Sequence, residues 1–253
     1  MELIDAHAHL TDEKFDDLKA VLTRAKEHYV EKIVCSAFNL PSSQSALELA
    51  KTHSNIFANV GLHPENVDEL DEKTLKNLEK LAKNEKVVAI GEIGLDYHFI
   101  DDNKSLQKQV FVEQIKLAKN LQKPIVVHSR DAMGDTIDIL KSNRHTQESL
   151  MHCYAGSFES AKILMDLGFS FSFGGVATFK NAKNVVEVIK NLPLERILLE
   201  TDCPYMSPEP FRGKRNEPKN IIYVADKIAS IKGLSLEEVA FQTTENAKRI
   251  FKI

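Results

Sequence analysis

Eight short apolar runs punctuate the chain at similar intervals: LIDAHAH, KIVCSAF, IFANVGL, VVAIGEIGL, PIVVHS, SLMHCY, FSFSFGG and RILLETD. The stretches between them are polar, with apolar residues returning at helical spacing, as at Phe15, Leu18, Leu22 and Ala25 or at Phe111, Ile115, Ala118 and Leu121. Runs rich in Ile, Val and Phe suit strands covered on both faces. Strict alternation then dictates a parallel sheet, because each helix carries the chain back to begin the next strand in the same direction. Eight such units in 253 residues predict an α/β fold of the (β/α)8 TIM-barrel type, whose ordinary size is about 250 residues. An open doubly wound sheet is the alternative. The tail LSLEEVAFQTTENAKRIF adds a last helix opened by Ser235 with Glu238 three residues on, a capping box. No Gly/Ser/Pro linker, repeat or low-complexity segment divides the chain, so a single domain over 1–253 is expected.

If these runs are barrel strands, their polar residues gather at one end. His7 and His9 close the first run, Glu92 the fourth, His128 the fifth, His152 the sixth and Asp202 the eighth. That is the carboxyl end, where barrel enzymes assemble their sites. One histidine there is ordinarily a satisfied rim residue. Six metal-competent side chains at equivalent positions are better explained as a metal centre, since their two carboxylates would be costly to bury without compensating cations. Alternation along a strand puts His7 and His9 on one face, and Glu200 and Asp202 likewise. The same parity turns Cys153 and Cys203 away from the metals. His28, His53 and His145 read as solvated. His63, in GLHP, falls on the rim and could orient substrate or a ligand, or simply pack the loop; His98 carries less signal.

The remaining composition narrows the setting. A net charge of −4 gives no global basic footprint, so any nucleic-acid contact has to be local. Three scattered cysteines without C-x-x-C spacing disfavour disulfides and a structural zinc, and fit a reducing cytoplasm. No run approaches the ~18 apolar residues of a membrane span, and no leader pattern opens the chain. The densest basic cluster, Arg212, Lys214 and Arg215 in RGKRNEP, leads to Asn216, which can cap a helix begun by Glu217 and Pro218. With metals beside it, this loop suits phosphate. Arg130, directly after His128, could hold a phosphate oxygen, while Asp131 could cap the following helix.

In order and spacing, DAHAHL, GLHP, GEIGLDY, VVHSRDA, HCYAGS, GGVATFKNA, LLETDCPY, RGKRNEP and TTENAKRIF resemble the TatD family of metal-dependent deoxyribonucleases within the amidohydrolase superfamily. The resemblance spans essentially the whole chain. It implies a (β/α)8 barrel, a cytoplasmic enzyme, and two divalent metal ions (Mg2+, Mn2+ or Zn2+) held by His7, His9, Glu92, His128, His152 and Asp202, with Glu92 between them. It also implies hydrolysis of DNA phosphodiesters, often by trimming single strands from an end; the residues do not distinguish DNA from RNA as the partner. One departure is Glu65, which follows GLHP where many members have a histidine.

The mechanism expected from these residues is hydrolysis by metal-activated water, with Asp202 accepting the proton and Glu200 tuning the network. Lys214, Arg215, Asn216, Arg130 and His63 are the expected substrate contacts. Two other readings stand beside it: an amide, ester or ring hydrolase using the same metals, and a non-enzymatic nucleic-acid or quality-control module with structural metals. No membrane partner is expected, and nothing in the pattern requires more than one copy of the chain.

Overall fold

The computed structural model describes residues 1–98 and 103–253. Its strands are β1 (Leu3–Ala8), β2 (Val30–Ser36), β3 (Ile56–Val60), β4 (Val87–Asp96), β5 (Ile125–Arg130), β6 (Ser149–Met151), β7 (Phe169–Phe173) and β8 (Ile197–Leu199). They pair in sequence order, each neighbouring pair parallel. An open doubly wound sheet would reverse its order part-way; this one does not, and the structure is a (β/α)8 barrel. Its seam is drawn together beyond β8, where Asp202 N donates to His7 O (3.0 Å) and His9 N donates to Cys203 O (2.7 Å).

Around the sheet lie α1 (Leu18–Glu27), α2 (Leu40–Thr52), α3 (Glu72–Ala82), α4 (Lys104–Leu121), α5 (Met133–Ser142), α6 (Phe158–Asp166), α7 (Lys183–Asn191), α8 (Ile221–Lys232) and α9 (Leu236–Phe251). On α4 the expected Phe111, Ile115 and Ala118 are buried and Leu121 is partly so; on α1 Ala25 is buried as expected, Leu18 and Leu22 are only partly buried, and Val21, outside the expected stripe, is buried. Phe15 is buried too, but in the loop before α1 rather than on the helix. The expected capping box opens α9, with Glu238 N donating to Ser235 Oγ and Ser235 N to Glu238 Oε2.

Inside the barrel, Ile4, Ala6, Val34, Val126, Leu150 and Leu198 form one apolar layer, closed from below by Ala247, Ile250 and Phe251 of α9. The amino end is therefore plugged by α9 among the described residues, and the cavity opens at the carboxyl end. This layer also exposes a detail that alternation alone misses. Ile4 and Ala6 face the interior, so an unbroken β1 would turn His7 outward. The pairing register with β2 slips between Asp5 and Ala8, and such an irregularity re-aims side chains. His7 and His9 consequently point into the mouth.

Candidate metal centre

At the mouth, the two oxygens of Glu92 divide the imidazoles into two sets. Glu92 Oε2 lies 3.2 Å from His7 Nε2 and 3.7 Å from His9 Nε2, and Asp202 Oδ1 completes that set at 3.3 Å from His9 Nε2. Glu92 Oε1 lies 2.8 Å from His152 Nε2, 2.9 Å from His128 Nδ1 and 3.5 Å from His63 Nε2. All six predicted ligands converge, and His63 joins them on the same floor. Glu92 itself sits within β4 rather than at its end, because the strand runs on to Asp96, which pairs with Arg130 of β5. The adjacent Gly94, at φ +143°, lets the two strands approach: a Cβ there would meet His128 O at 2.0 Å.

The outer nitrogens fix which way the lone pairs point. His9 Nδ1 lies 3.0 Å from the carbonyl oxygen of Ser36, which can only accept, so Nδ1 donates and Nε2 faces inward unprotonated in the neutral ring. His7 Nδ1 meets Ser36 Oγ at 3.1 Å, and His128 Nε2 meets the buried Asp96 Oδ2 at 3.0 Å. His152 Nδ1 and Glu200 Oε1 are both buried with no hydrogen-bond partner, and they face each other at 3.5 Å. Carboxylates and carbonyls behind imidazoles are the usual means of orienting histidine toward a metal.

Electrostatically the cluster is built to receive positive charge. Burial works against ionising Glu92, yet the imidazoles of His152, His63 and His7 and the hydrogen bond to His128 hold it well below the usual carboxylate range. Burial likewise opposes charging His152, and Glu92 with Glu200 overcomes it, pulling that ring well above its ordinary value. His9 and His128 are raised against burial by Asp202 and by Asp96 with Glu92 respectively. Burial keeps His7 low and pushes His63 down to about 4. His7 Nε2 and His9 Nε2 face each other at 3.3 Å. That separation is the edge of a tetrahedron of ~2.0–2.1 Å metal–nitrogen bonds. The donors form groups able to hold metal: His7, His9 and Asp202; His7, Glu92 and His152; and His63, Glu92 and His128.

Comparison with known proteins supplies the family. The family model described as TatD related DNase matches residues 4–252. The chain belongs to the TatD family. It is 48% identical to YabD of Bacillus subtilis (strain 168) over 99% of both chains, and 38% identical to YcfH of Escherichia coli (strain K12), covering 100% of this chain and 97% of that one. Both relatives are described as metal-dependent hydrolases. The crystal structure of YJJV, a TatD homolog from Escherichia coli K12, superposes with a TM-score of 0.93 at 31% identity, covering 99% of this chain and 98% of that one.

In this TatD-family barrel, a cavity of about 670 Å³ opens over the centre. His63 and Arg130 line it, as does Glu65. The other expected phosphate contacts do not. Arg215 is held by Asp17 (2.8 Å), nearly two hundred positions away, and by Glu217 (3.2 Å), and Arg24 grips the same two acids. Lys214 is exposed on that loop and stands over the Phe211 ring, outside the cavity lining. Asn216 is fully buried and saturated: its Nδ2 donates to Thr201 O and Tyr205 O, and its Oδ1 accepts from Glu217 N and Asn220 Nδ2. It braces the loop and caps no helix by itself, since α8 opens at Asn220.

Three smaller expectations also change. Cys153 lines the cavity instead of pointing away, because β6 ends at Met151 and the chain turns at Cys153 with φ +44°, which breaks the alternation; Cys203 is buried in the core. His145 is buried, its Nε2 2.7 Å from Lys123 O, rather than solvated. Asp131 pairs with His98 at 2.9 Å, and α5 begins at Ala132 without a side-chain cap. The sequence reading passed over Asp96 and Asp5. Asp5 accepts from Thr201 N and Thr201 Oγ1 and ties β1 to the segment carrying Asp202; burial pushes its carboxyl up to about 8. A signal was present in each case, an acid inside an otherwise apolar strand end.

Proposed function

We propose that this chain is a divalent-metal-dependent deoxyribonuclease that hydrolyses DNA phosphodiester bonds at single-stranded ends. The observation that carries the reading is the division of Glu92 between two imidazole sets at the floor of an open cavity, with Asp202 beside one of them. Two cations held there would offset charge on phosphoryl oxygens and acidify water, the chemistry a phosphodiester needs.

The chain's own groups supply the rest. Asp202 is held ionised against burial by its contacts with His9, and its carboxylate is turned partly toward the cavity. It is the group positioned to take a proton from water as the new P–O bond forms and the bond to the leaving sugar oxygen breaks. His63, kept neutral by burial, can donate or accept one hydrogen bond at the cavity wall. Arg130, at the end of β5, is the cation positioned to receive a phosphate oxygen. A cup-shaped cavity of this size admits a strand end rather than the side of a duplex.

The test is release of nucleotides from single-stranded DNA carrying a chemical block at one end, with Mg2+, Mn2+ and Zn2+ each supplied to wild type and to Asp202→Asn. Wild type should release nucleotides from the open end and the variant at least about 100-fold more slowly. Equal and negligible rates for both proteins with every metal would overturn the nuclease reading.

A further inference from the structure

The rim of the cavity holds an exposed aromatic ring whose every degree of freedom is tied down. Tyr205 is 43% exposed, yet its hydroxyl donates to Asp12 Oδ2 at 2.6 Å, and the Lys14 ammonium stands 4.3 Å from its ring centroid. Its backbone is fixed as well: Tyr205 N donates to Asp202 O (2.9 Å), and the buried Asn216 amide donates to Tyr205 O (2.8 Å). The ring edge meets His9 with centroids 6.1 Å apart. Met206, 44% exposed, lines the cavity beside it. An exposed tyrosine ordinarily keeps its side-chain freedom; this one is immobilised three residues from a metal ligand.

We propose that Tyr205 is a stacking platform for the nucleobase attached to the phosphate under attack. This deepens the nuclease reading and rests on it for the identity of the substrate. Lys14 does not line the cavity, so the ring face turned toward the cavity is the one open to a ligand. The charge around the ring decides what that ligand is. Asp12 and Glu65 line the cavity on this side and repel phosphate, while the metal floor and Arg130 attract it. A nucleotide therefore seats with its phosphate on the floor and its base, the uncharged aromatic part, on Tyr205. Stacking on a preset ring costs little ordering entropy and tolerates any base, because every base has a π-face. The buried Asn216 gains a purpose under this arrangement, since it holds the segment that carries the platform.

The chain contains no tryptophan, so Tyr205→Trp introduces a single tryptophan at the platform, whose emission is excited selectively over the remaining tyrosines. This variant is titrated with short single-stranded oligonucleotides made of phosphorothioate linkages, one set with a natural terminal base and one with an abasic terminal residue. The base-bearing oligonucleotide should quench and shift the emission, and the abasic one should leave it unchanged. In parallel, Tyr205→Ala should weaken binding of the base-bearing oligonucleotide by about 5- to 100-fold, leave binding of the abasic one within twofold, and be rescued by Tyr205→Phe. Equal loss on both oligonucleotides, no loss on either, or an emission change indifferent to the base would overturn the platform. Its failure is distinguishable from failure of the nuclease reading, because these are binding measurements: base-dependent quenching in a protein that releases no nucleotides would keep the platform and remove the nuclease.

Discussion

Replacing Asp96 with asparagine tests whether the second imidazole set is a metal site oriented from behind. Asp96 is buried, and its Oδ2 lies 3.0 Å from His128 Nε2 while its Oδ1 accepts from His98 N at 2.8 Å. Asparagine preserves shape and volume but removes the charge that keeps the proton on Nε2 and makes Nδ1 the better ligand. Loss of such an outer partner typically costs 10- to 100-fold in metal affinity, or about 1.4–2.8 kcal/mol. The His7–His9 set leans on Ser36 instead, so the loss should fall on one ion of two. Metal-free protein titrated with Zn2+ or Mn2+ against a chelating dye should therefore show one class of site weakened by that factor and the other within about threefold of wild type. Unchanged affinity at both sites would refute the orienting role. A uniform loss at both, accompanied by a lower unfolding temperature, would refute it equally, since Asp96 would then act through folding alone.

Two further outcomes follow from groups away from the floor. Glu148 ties β6 to α9 by accepting from Arg249, Arg196 and Ser170, and although burial opposes its ionisation these partners hold it below the usual carboxylate value. A depressed acid stabilises the fold above its unfolded value and loses that contribution as pH falls through the folded one, so Glu148→Gln should lower the melting temperature by a few degrees at pH 7, and the gap to wild type should close as pH drops below about 4.5. For the thiols, burial raises all three, pushing Cys35 up to about 12 and Cys153 and Cys203 well above the ordinary range; what sets Cys153 apart is access, since it lines the cavity while Cys35 and Cys203 are buried in the core. Iodoacetamide followed by mass mapping should label Cys153 first and leave Cys35 and Cys203 unmodified in the folded protein, with all three reacting in denaturant; early labelling of Cys203 would contradict its burial.

The barrel was legible because its two periods, the apolar strand run and the helical stripe, are local and repeat eight times. The convergence of the candidate ligands was legible for a related reason: a parallel barrel converts "end of a strand" into "same end of the molecule", so His7, Glu92, His128 and His152 could be grouped without any knowledge of distance. Where the chain leaves regular geometry, that conversion fails. Alternation along β1 selects the right pair but the wrong direction until the register slip after Asp5 turns it. At Cys153 and Asp202 the backbone enters the left-handed region, and parity says nothing beyond such a residue.

The placement of the basic loop was not legible, for a different physical reason. A cluster of like charges in sequence invites a ligand of opposite sign, but its own counter-charges can arrive from any distance along the chain. Arg215 finds Asp17, and Glu217 finds Arg24, contacts that only closure of the barrel creates. What RGKRNEP does instead is stiffen the segment after β8, through Asn216 on Thr201 and Tyr205. The same closure brings Asp12, from the loop after β1, onto the Tyr205 hydroxyl. A feature that looks like a binding loop in one dimension is thus a brace in three, and the residues it braces, Asp202 and Tyr205, are the ones that face the cavity.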